Sequence, residues 1–133
     1  MIRYFTAEEI LLVHSLVIDE TGGSHGVRDR HAILSLVEAP KQKVFGKELY
    51  KTVFEKSALY IRNIIHFHPF VDGNKRTAMT LAGVFLDNNN FFLSVEKDNI
   101  EIFALRVVSE KLEIMDIAIW LEKHSARRVR KSE

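Results

Sequence analysis

The sequence predicts an all-α fold, a single compact helical domain. Three observations carry this prediction. Apolar residues recur at helical spacing in six successive stretches. Those stretches are bounded by start and stop residues, among them Thr6, Asp29, Pro40 and the Gly22-Gly23 pair. With 133 residues, 47% of them hydrophobic, no internal repeat and no linker-like segment, the chain has room for one sizeable core and not two. We expect residues 1–126 to form this domain and residues 127–133 to be a basic tail.

Thr6-Ala7-Glu8-Glu9 reads as a capping box ahead of Ile10, Val13 and Val17, so a first helix should run to about Thr21 and stop at Gly22-Gly23. The glycines of residues 22–26 follow a helix instead of a strand, which favours a turn over a nucleotide-binding loop. Asp29 can cap a second helix through Ala32, Ile33, Leu36 and Val37, with Pro40 ending it. Lys41 to Leu49 has no helical period, and its residues alone read equally well as a solvated connector. Phe54, Ala58, Ile61 and Ile65 share one face of a long third helix; Leu81, Ala82, Val84 and Phe85 do the same in a fourth, which the Asp87 to Asn90 run ends. Phe91 to Val95 reads as a short extended piece. Ile100, Phe103, Ala104 and Val107 mark a fifth helix, and Ile114, Ile117, Ala118 and Leu121 a sixth, with Trp120 partly buried. Arg127, Arg128, Arg130 and Lys131 read as a frayed, solvated terminus.

The chemistry is concentrated between the third and fourth helices, in His68-Pro69-Phe70-Val71-Asp72-Gly73-Asn74-Lys75-Arg76. Pro69 biases His68 away from the helical region, so the third helix should end there. Gly73 permits a turn with positive φ, and Asn74 suits the cap of the next helix, leaving the amides of Lys75, Arg76 and Thr77 free at its N-terminus. Free amides and the positive end of the helix dipole attract anions, and Lys75 and Arg76 add formal charge at the same point. Phosphate is the guest this set suits. Asp72 offers a hard oxygen to a magnesium ion shared with phosphate oxygens. His68 is the candidate general base, since imidazole is the side chain here that ordinarily titrates nearest neutrality. Phe70 reads as an aromatic plug anchoring the loop, His14 and Arg28-Asp29 as structural polar contacts, and Thr77 as bonding either a phosphate or its own helix. His66, His68 and Asp72 could instead form a transition-metal site, although Lys75 and Arg76 would place like charge beside the metal.

These nine residues match the signature of the Fic/Doc family, His-Pro-Phe-x-(Asp/Glu)-Gly-Asn-(Gly/Lys)-Arg, at every specified position. Val13-His14, Gly22-Gly23, Gly26-Val27-Arg28-Asp29, the Phe45 to Tyr50 segment, Glu55 to Ala58 and Phe85 to Asn90 follow the order seen in short Doc-type (death-on-curing) toxins, so the resemblance covers most of the chain. It implies transfer of a phosphate-containing group from ATP, with magnesium, to a hydroxyl of a target protein. His68 would be the base, Asp72 the magnesium ligand, and Gly73, Asn74, Lys75 and Arg76 the phosphate-binding residues. Lys41 to Leu49 looks like the family's flap, a hairpin placing Lys43, Val44 and Phe45 against the target's backbone. Lys75 is the Doc-type residue, where adenylylating members usually carry glycine, and it implies γ-phosphate transfer by a protein kinase. Gly73 stands where Doc-type motifs often have alanine, and it keeps AMP transfer (protein adenylylation) as the alternative. The resemblance further implies a translation elongation factor as target and a separate antitoxin. Family members are often inhibited by a helix carrying (Ser/Thr)-x-x-x-Glu-(Gly/Asn). The nearest stretch here, Ser109 to Glu113, is followed by Ile114, so no built-in brake is expected, and an antitoxin segment would fold into a groove near Arg76 instead.

Composition bounds the remaining classes. Nineteen basic against 18 acidic residues give no bulk-charge case for nucleic acid or membrane. The basic tail lacks the aromatic interleaving of a single-strand binder. No cysteine is present, and no apolar run approaches the ~20 residues needed to span a bilayer, so a soluble cytoplasmic protein is expected. Neither a Walker sequence nor the kinase HRD and DFG elements occur. A degenerate member binding nucleotide or antitoxin without catalysis is the remaining alternative, against which the presence of both His68 and Asp72 argues.

Overall fold

The computed structural model describes residues 1–129, and among them the backbone forms six α-helices and two short antiparallel ribbons. Helix α1 (Ala7–Thr21) starts at the expected capping box: the Glu9 N–H donates to Thr6 Oγ1 at 3.1 Å, and the Thr6 N–H donates to Glu9 Oε1 at 2.8 Å. It ends where Gly22, at φ 87°, donates its N–H to the Ile18 carbonyl. Asp29 caps α2 (Arg30–Glu38) by accepting from the Ala32 N–H at 3.1 Å. Pro40 falls within a single 3-10 turn, Ala39–Lys41, that follows α2, since it has no N–H with which to continue an α-helix.

Residues 42–49 form a hairpin. Strands β1 (Lys43–Val44) and β2 (Lys47–Glu48) pair antiparallel, and the Leu49 N–H closes the base on the Gln42 carbonyl at 2.9 Å. Phe45 and Gly46 at the tip both have positive φ, 51° and 77°, as a two-residue primed turn requires. The segment is thus a solvent-exposed hairpin and not an irregular connector; a turn that seats Phe45 in the left-handed region has no simple sequence signal.

Helices α3 (Val53–Phe67) and α4 (Asn74–Asn88) pack on each other more extensively than any other pair, and α6 (Ile114–Lys123) covers another side of α3. Ile61 and Ile64 of α3 and Leu81, Ala82 and Phe85 of α4 are fully buried. The rings of Phe5, Tyr60 and Phe85 meet with centroids 5.2 to 6.1 Å apart. Burial of each large apolar side chain contributes about 1.5–3 kcal/mol, so the two helices are held firmly where the 68–73 loop joins them.

After α4, β3 (Phe91–Leu93) leads to α5 (Lys97–Ser109), and α6 is followed by β4 (Ser125–Arg127), which pairs antiparallel with β3. Trp120 stacks on Phe103 at 3.8 Å and is half-buried, as expected. The start of the basic tail differs from the expectation of a frayed end. Arg127 pairs with Phe91 and lies over its ring, the Arg128 N–H donates to the Asn90 carbonyl at 2.8 Å, and the Arg128 guanidinium bonds Asp87. An open strand edge at β3 captures the chain, and no local pattern around residue 127 announces it. Arg130 and Lys131 lie outside the described residues. No helix among the described residues is long and apolar enough to cross a membrane.

Candidate active site

The loop between α3 and α4 is held through its backbone at His68 to Val71 and through the side chains of Phe70 and Asp72. Helix α3 ends at Phe67. His68 adopts a left-handed conformation (φ 49°, ψ 60°) and donates its N–H to the Ile64 carbonyl at 3.0 Å. Pro69 does exclude the right-handed helical region at His68, but the chain answers with the left-handed well, which costs about 1–2 kcal/mol. The loop after α1 compensates. Arg28 donates from Nε to the His68 carbonyl at 2.7 Å and from Nη2 to the Phe67 carbonyl at 2.6 Å, capping α3. The N–H groups of Arg28 and Asp29 both donate to the Pro69 carbonyl, at 2.7 and 3.0 Å, and the Val71 N–H donates to Gly26. His68 is thus fixed at its main chain while its exposed imidazole makes no hydrogen bond to any described residue.

Phe70 is the expected plug, 1% exposed. Its ring stacks on that of His14 with centroids 3.8 Å apart and planes 5° from parallel. Buried His14 donates from Nε2 to the Asp72 carbonyl at 2.9 Å, joining α1 to the loop. His14 and Arg28-Asp29 are therefore the structural polar contacts expected of them, and both bear directly on the shape of the loop.

Asn74 departs from its expected place. Gly73, at φ 74°, occupies the cap position, and Asn74 is the first helical residue. The Asn74 side chain turns back on the loop, accepting from the Phe70 N–H at 3.0 Å and donating to the Phe70 carbonyl at 2.9 Å. Closing a buried peptide group outweighs capping, because an unpaired one costs about 1–3 kcal/mol. The expected set of free amides shifts accordingly. The Thr77 N–H bonds the Gly73 carbonyl at 2.9 Å, and the amides of Asn74, Lys75 and Arg76 are those without a helical carbonyl to bond. Thr77 is fully buried with its hydroxyl unpartnered among the described residues, so it does not face an anion at the surface.

Asp72 sits beside these amides, half-exposed. Its Oδ2 accepts from the Ser24 N–H at 3.1 Å and its Oδ1 from the Gly73 N–H at 2.8 Å. Those two amides, followed by the Arg76 and His14 charges, hold its carboxyl below the ordinary aspartate range. Gly23, at φ 119°, lies so near that a Cβ there would stand 2.6 Å from Oδ2. The donor chemistry fits a magnesium ion, since an ionised, half-exposed carboxylate with lone pairs to spare is what magnesium takes when phosphate supplies its other ligands. The rival transition-metal reading fails: among the described residues no three His, Asp or Glu side chains are close enough to share an ion.

Arg76 donates to Thr21 Oγ1 and, at 3.2 Å, to the Gly22 carbonyl, and its Nη2 stands 3.9 Å from Asp72 Oδ1. Lys75 is exposed and unpaired among the described residues. Two concavities flank the set. One, of about 500 Å³, has His68 on its wall together with Arg62, His66, Lys111 and Glu113. The other, a groove of about 780 Å³ along α1, α4 and α5, runs from Lys75 and Arg76 over apolar residues such as Val17, Met79 and Ile100. Lys43, Val44 and Phe45 are exposed on the hairpin and take no part in the hydrogen bonds of the loop. Glu113 pairs with Arg62 at 3.5 Å, whereas Arg76 is engaged with α1. Ser24 was not singled out from the sequence, since only the fold brings its amide to Asp72.

The pattern of the Fic/DOC family matches residues 4–86 of the chain. Toxin Doc of Mycolicibacterium smegmatis is 33% identical over 98 residues, 74% of this chain and 73% of that protein. A relative named Protein kinase doc, from Escherichia phage P1, is 32% identical over 87 residues, 65% of this chain and 68% of its own length.

Proposed function

The chain belongs to the Fic/DOC family, and on that premise we propose that it transfers the γ-phosphate of ATP to a hydroxyl of a target protein. The observation that carries this reading is the division of labour in the loop: the His68 imidazole is exposed and unbonded while the neighbouring backbone is braced around the amides of Asn74, Lys75 and Arg76. Phosphate oxygens accept from those amides at the positive end of α4, with Lys75 and Arg76 neutralising their charge. Asp72 would hold magnesium, which when bound shares the phosphate oxygens and spreads their charge. Arg76, tied to Thr21 and Gly22, presents its guanidinium in a fixed place and so loses little entropy on binding. The acceptor oxygen bonds to the γ-phosphorus as the bond to the bridging oxygen breaks; the hydroxyl proton passes to His68, and ADP leaves. Catalysis is then mostly positioning and charge stabilisation.

Lys75 favours γ transfer. Gly73, in place of the alanine frequent in Doc-type motifs, supports AMP transfer as the second reading. ATP labelled separately at the α and γ positions, incubated with the protein in a lysate and resolved on a gel, separates the two: γ label on one dominant polypeptide is expected, and α label would replace the kinase assignment by adenylylation. In our reading the target is a translation elongation factor. Control falls to a separate antitoxin whose segment lies in the α1–α4–α5 groove, because the groove offers a mainly apolar surface and has Arg76 in its lining. The pairing of Glu113 with Arg62 and not Arg76 supports the lack of an internal brake.

A further inference from the structure

Lys56, in the first turns of α3, is 1% exposed and carries its charge into the interior. An ammonium has three donors, and here all three are used: on the Pro40 carbonyl at 3.4 Å, on Glu48 Oε1 at 2.9 Å and on the Tyr50 carbonyl. The acceptors share one feature. Pro40 precedes the hairpin, Glu48 lies within β2, and Tyr50 follows it, so one buried side chain grips both stems and a strand of the same appendage. The hairpin has little else to orient it. Its ladder is two residue pairs long, all four strand residues are exposed, and a ribbon of that size is marginal by itself. Helix α3 runs without a break from Lys56 to Phe67, with His68 next, so the grip on the hairpin and the proposed base are carried by one rigid rod about 18 Å long.

We infer that Lys56 is a positioning residue that locks the 43–48 hairpin onto α3 and so sets where the target's backbone is held relative to His68. This rests on the reading of the hairpin as the docking flap. A purely space-filling residue at this site would need no charge, and replacing a buried ion pair by apolar side chains is often neutral or stabilising, so net stability alone does not call for the ammonium. Glu48 fits the same role from the other side. Its carboxyl is held below the ordinary glutamate range by the bond to Lys56, so it stays ionised at neutral pH.

The test compares Lys56→Met, which keeps the length of the side chain, with Glu48→Gln, which removes one exposed charge and leaves the core untouched. In both, the Leu49 amide should exchange its hydrogen about tenfold faster, while in Glu48→Gln the amides of Ile61 and Ile64 keep their protection. With the purified polypeptide that takes up label in the lysate experiment as acceptor, KM for that acceptor should rise about tenfold with kcat and ATP affinity retained. Unchanged Leu49 exchange in both variants would overturn the inference. So would a fall of kcat, ATP affinity and thermal stability together with an unmoved acceptor KM, which would make Lys56 a core residue only. Phe45→Asp separates the inference from its premise: if it and Lys56→Met both leave acceptor KM unchanged while Leu49 exchanges faster in Lys56→Met, the flap reading fails, and Lys56 holds the hairpin without positioning a target.

Discussion

Lys56 and His68 stand at opposite ends of α3, and the protein treats them in opposite ways. The Lys56 ammonium is buried, and each of its three donors is used. The His68 imidazole is exposed and bonded to no described residue, although its own backbone and that of its neighbours are bound by Arg28, Asp29 and Ile64. The contrast separates structural from chemical use of a polar side chain. A buried charge must be saturated, because an unpaired donor in the interior is costly. A proton acceptor has to keep its lone pair available, so the fold secures its position through peptide groups and leaves the ring alone.

The largest effect should come from the chemical end. His68→Ala is expected to lower transfer of labelled phosphate by about 10²- to 10⁴-fold with no loss of thermal stability; a parallel fall in the unfolding temperature would show that the ring is structural and would erase the contrast. At the other end, Lys56→Ala leaves the Pro40 and Tyr50 carbonyls without a donor. It should destabilise the fold by roughly 3 kcal/mol in urea unfolding, and a cost below about 1 kcal/mol would mean that water takes over the bonds. His14→Ala should fall between the two in character. Losing the bond to the Asp72 carbonyl and the stack on Phe70 is expected to cost about 2 kcal/mol and to raise the magnesium-ATP concentration needed for activity; stability lost without that kinetic shift would confine His14 to the core.

The smallest effect concerns acid stability. The folded pKa of Asp72 is depressed by the Ser24 and Gly73 amides. Its contribution is therefore complete above the ordinary aspartate value, about 3.9, and is lost as the pH falls from there through the lower folded value. Asp72→Asn should accordingly lower the unfolding temperature slightly above about pH 4 and flatten the acid limb below it, where the two proteins converge. An unchanged acid limb would show that the two amides do not stabilise the carboxylate.

Much of this was readable from local signals. The apolar faces of α3 and α4, the Thr6 capping box and the Asp29 cap rest on spacing within a few residues, and the helices begin and end close to where those signals put them. Thr52-x-x-Glu55 is a second box of the same kind that could have been read in advance. Residues 68–76 announced a helix–loop–helix joint rich in charge, and the placement of Phe70 in the core follows from its size and apolarity. Asn74 was misplaced by the same local logic, since an asparagine after glycine looks like a cap until the peptide group of Phe70 is seen to need both of its polar atoms.

The sequence by itself determined the helices, the single core and the location of the chemistry, because helical periodicity and capping depend on neighbours within one or two turns. Only the tertiary structure decided how the loop is held. Ser24, Arg28 and His14 reach it from the α1–α2 region, Lys56 ties the hairpin to α3, and β4 completes a ribbon with β3. Each of these lies beyond the reach of a capping or periodicity signal and is made because a buried peptide group, charge or strand edge requires a partner and takes whichever one the packing brings within reach.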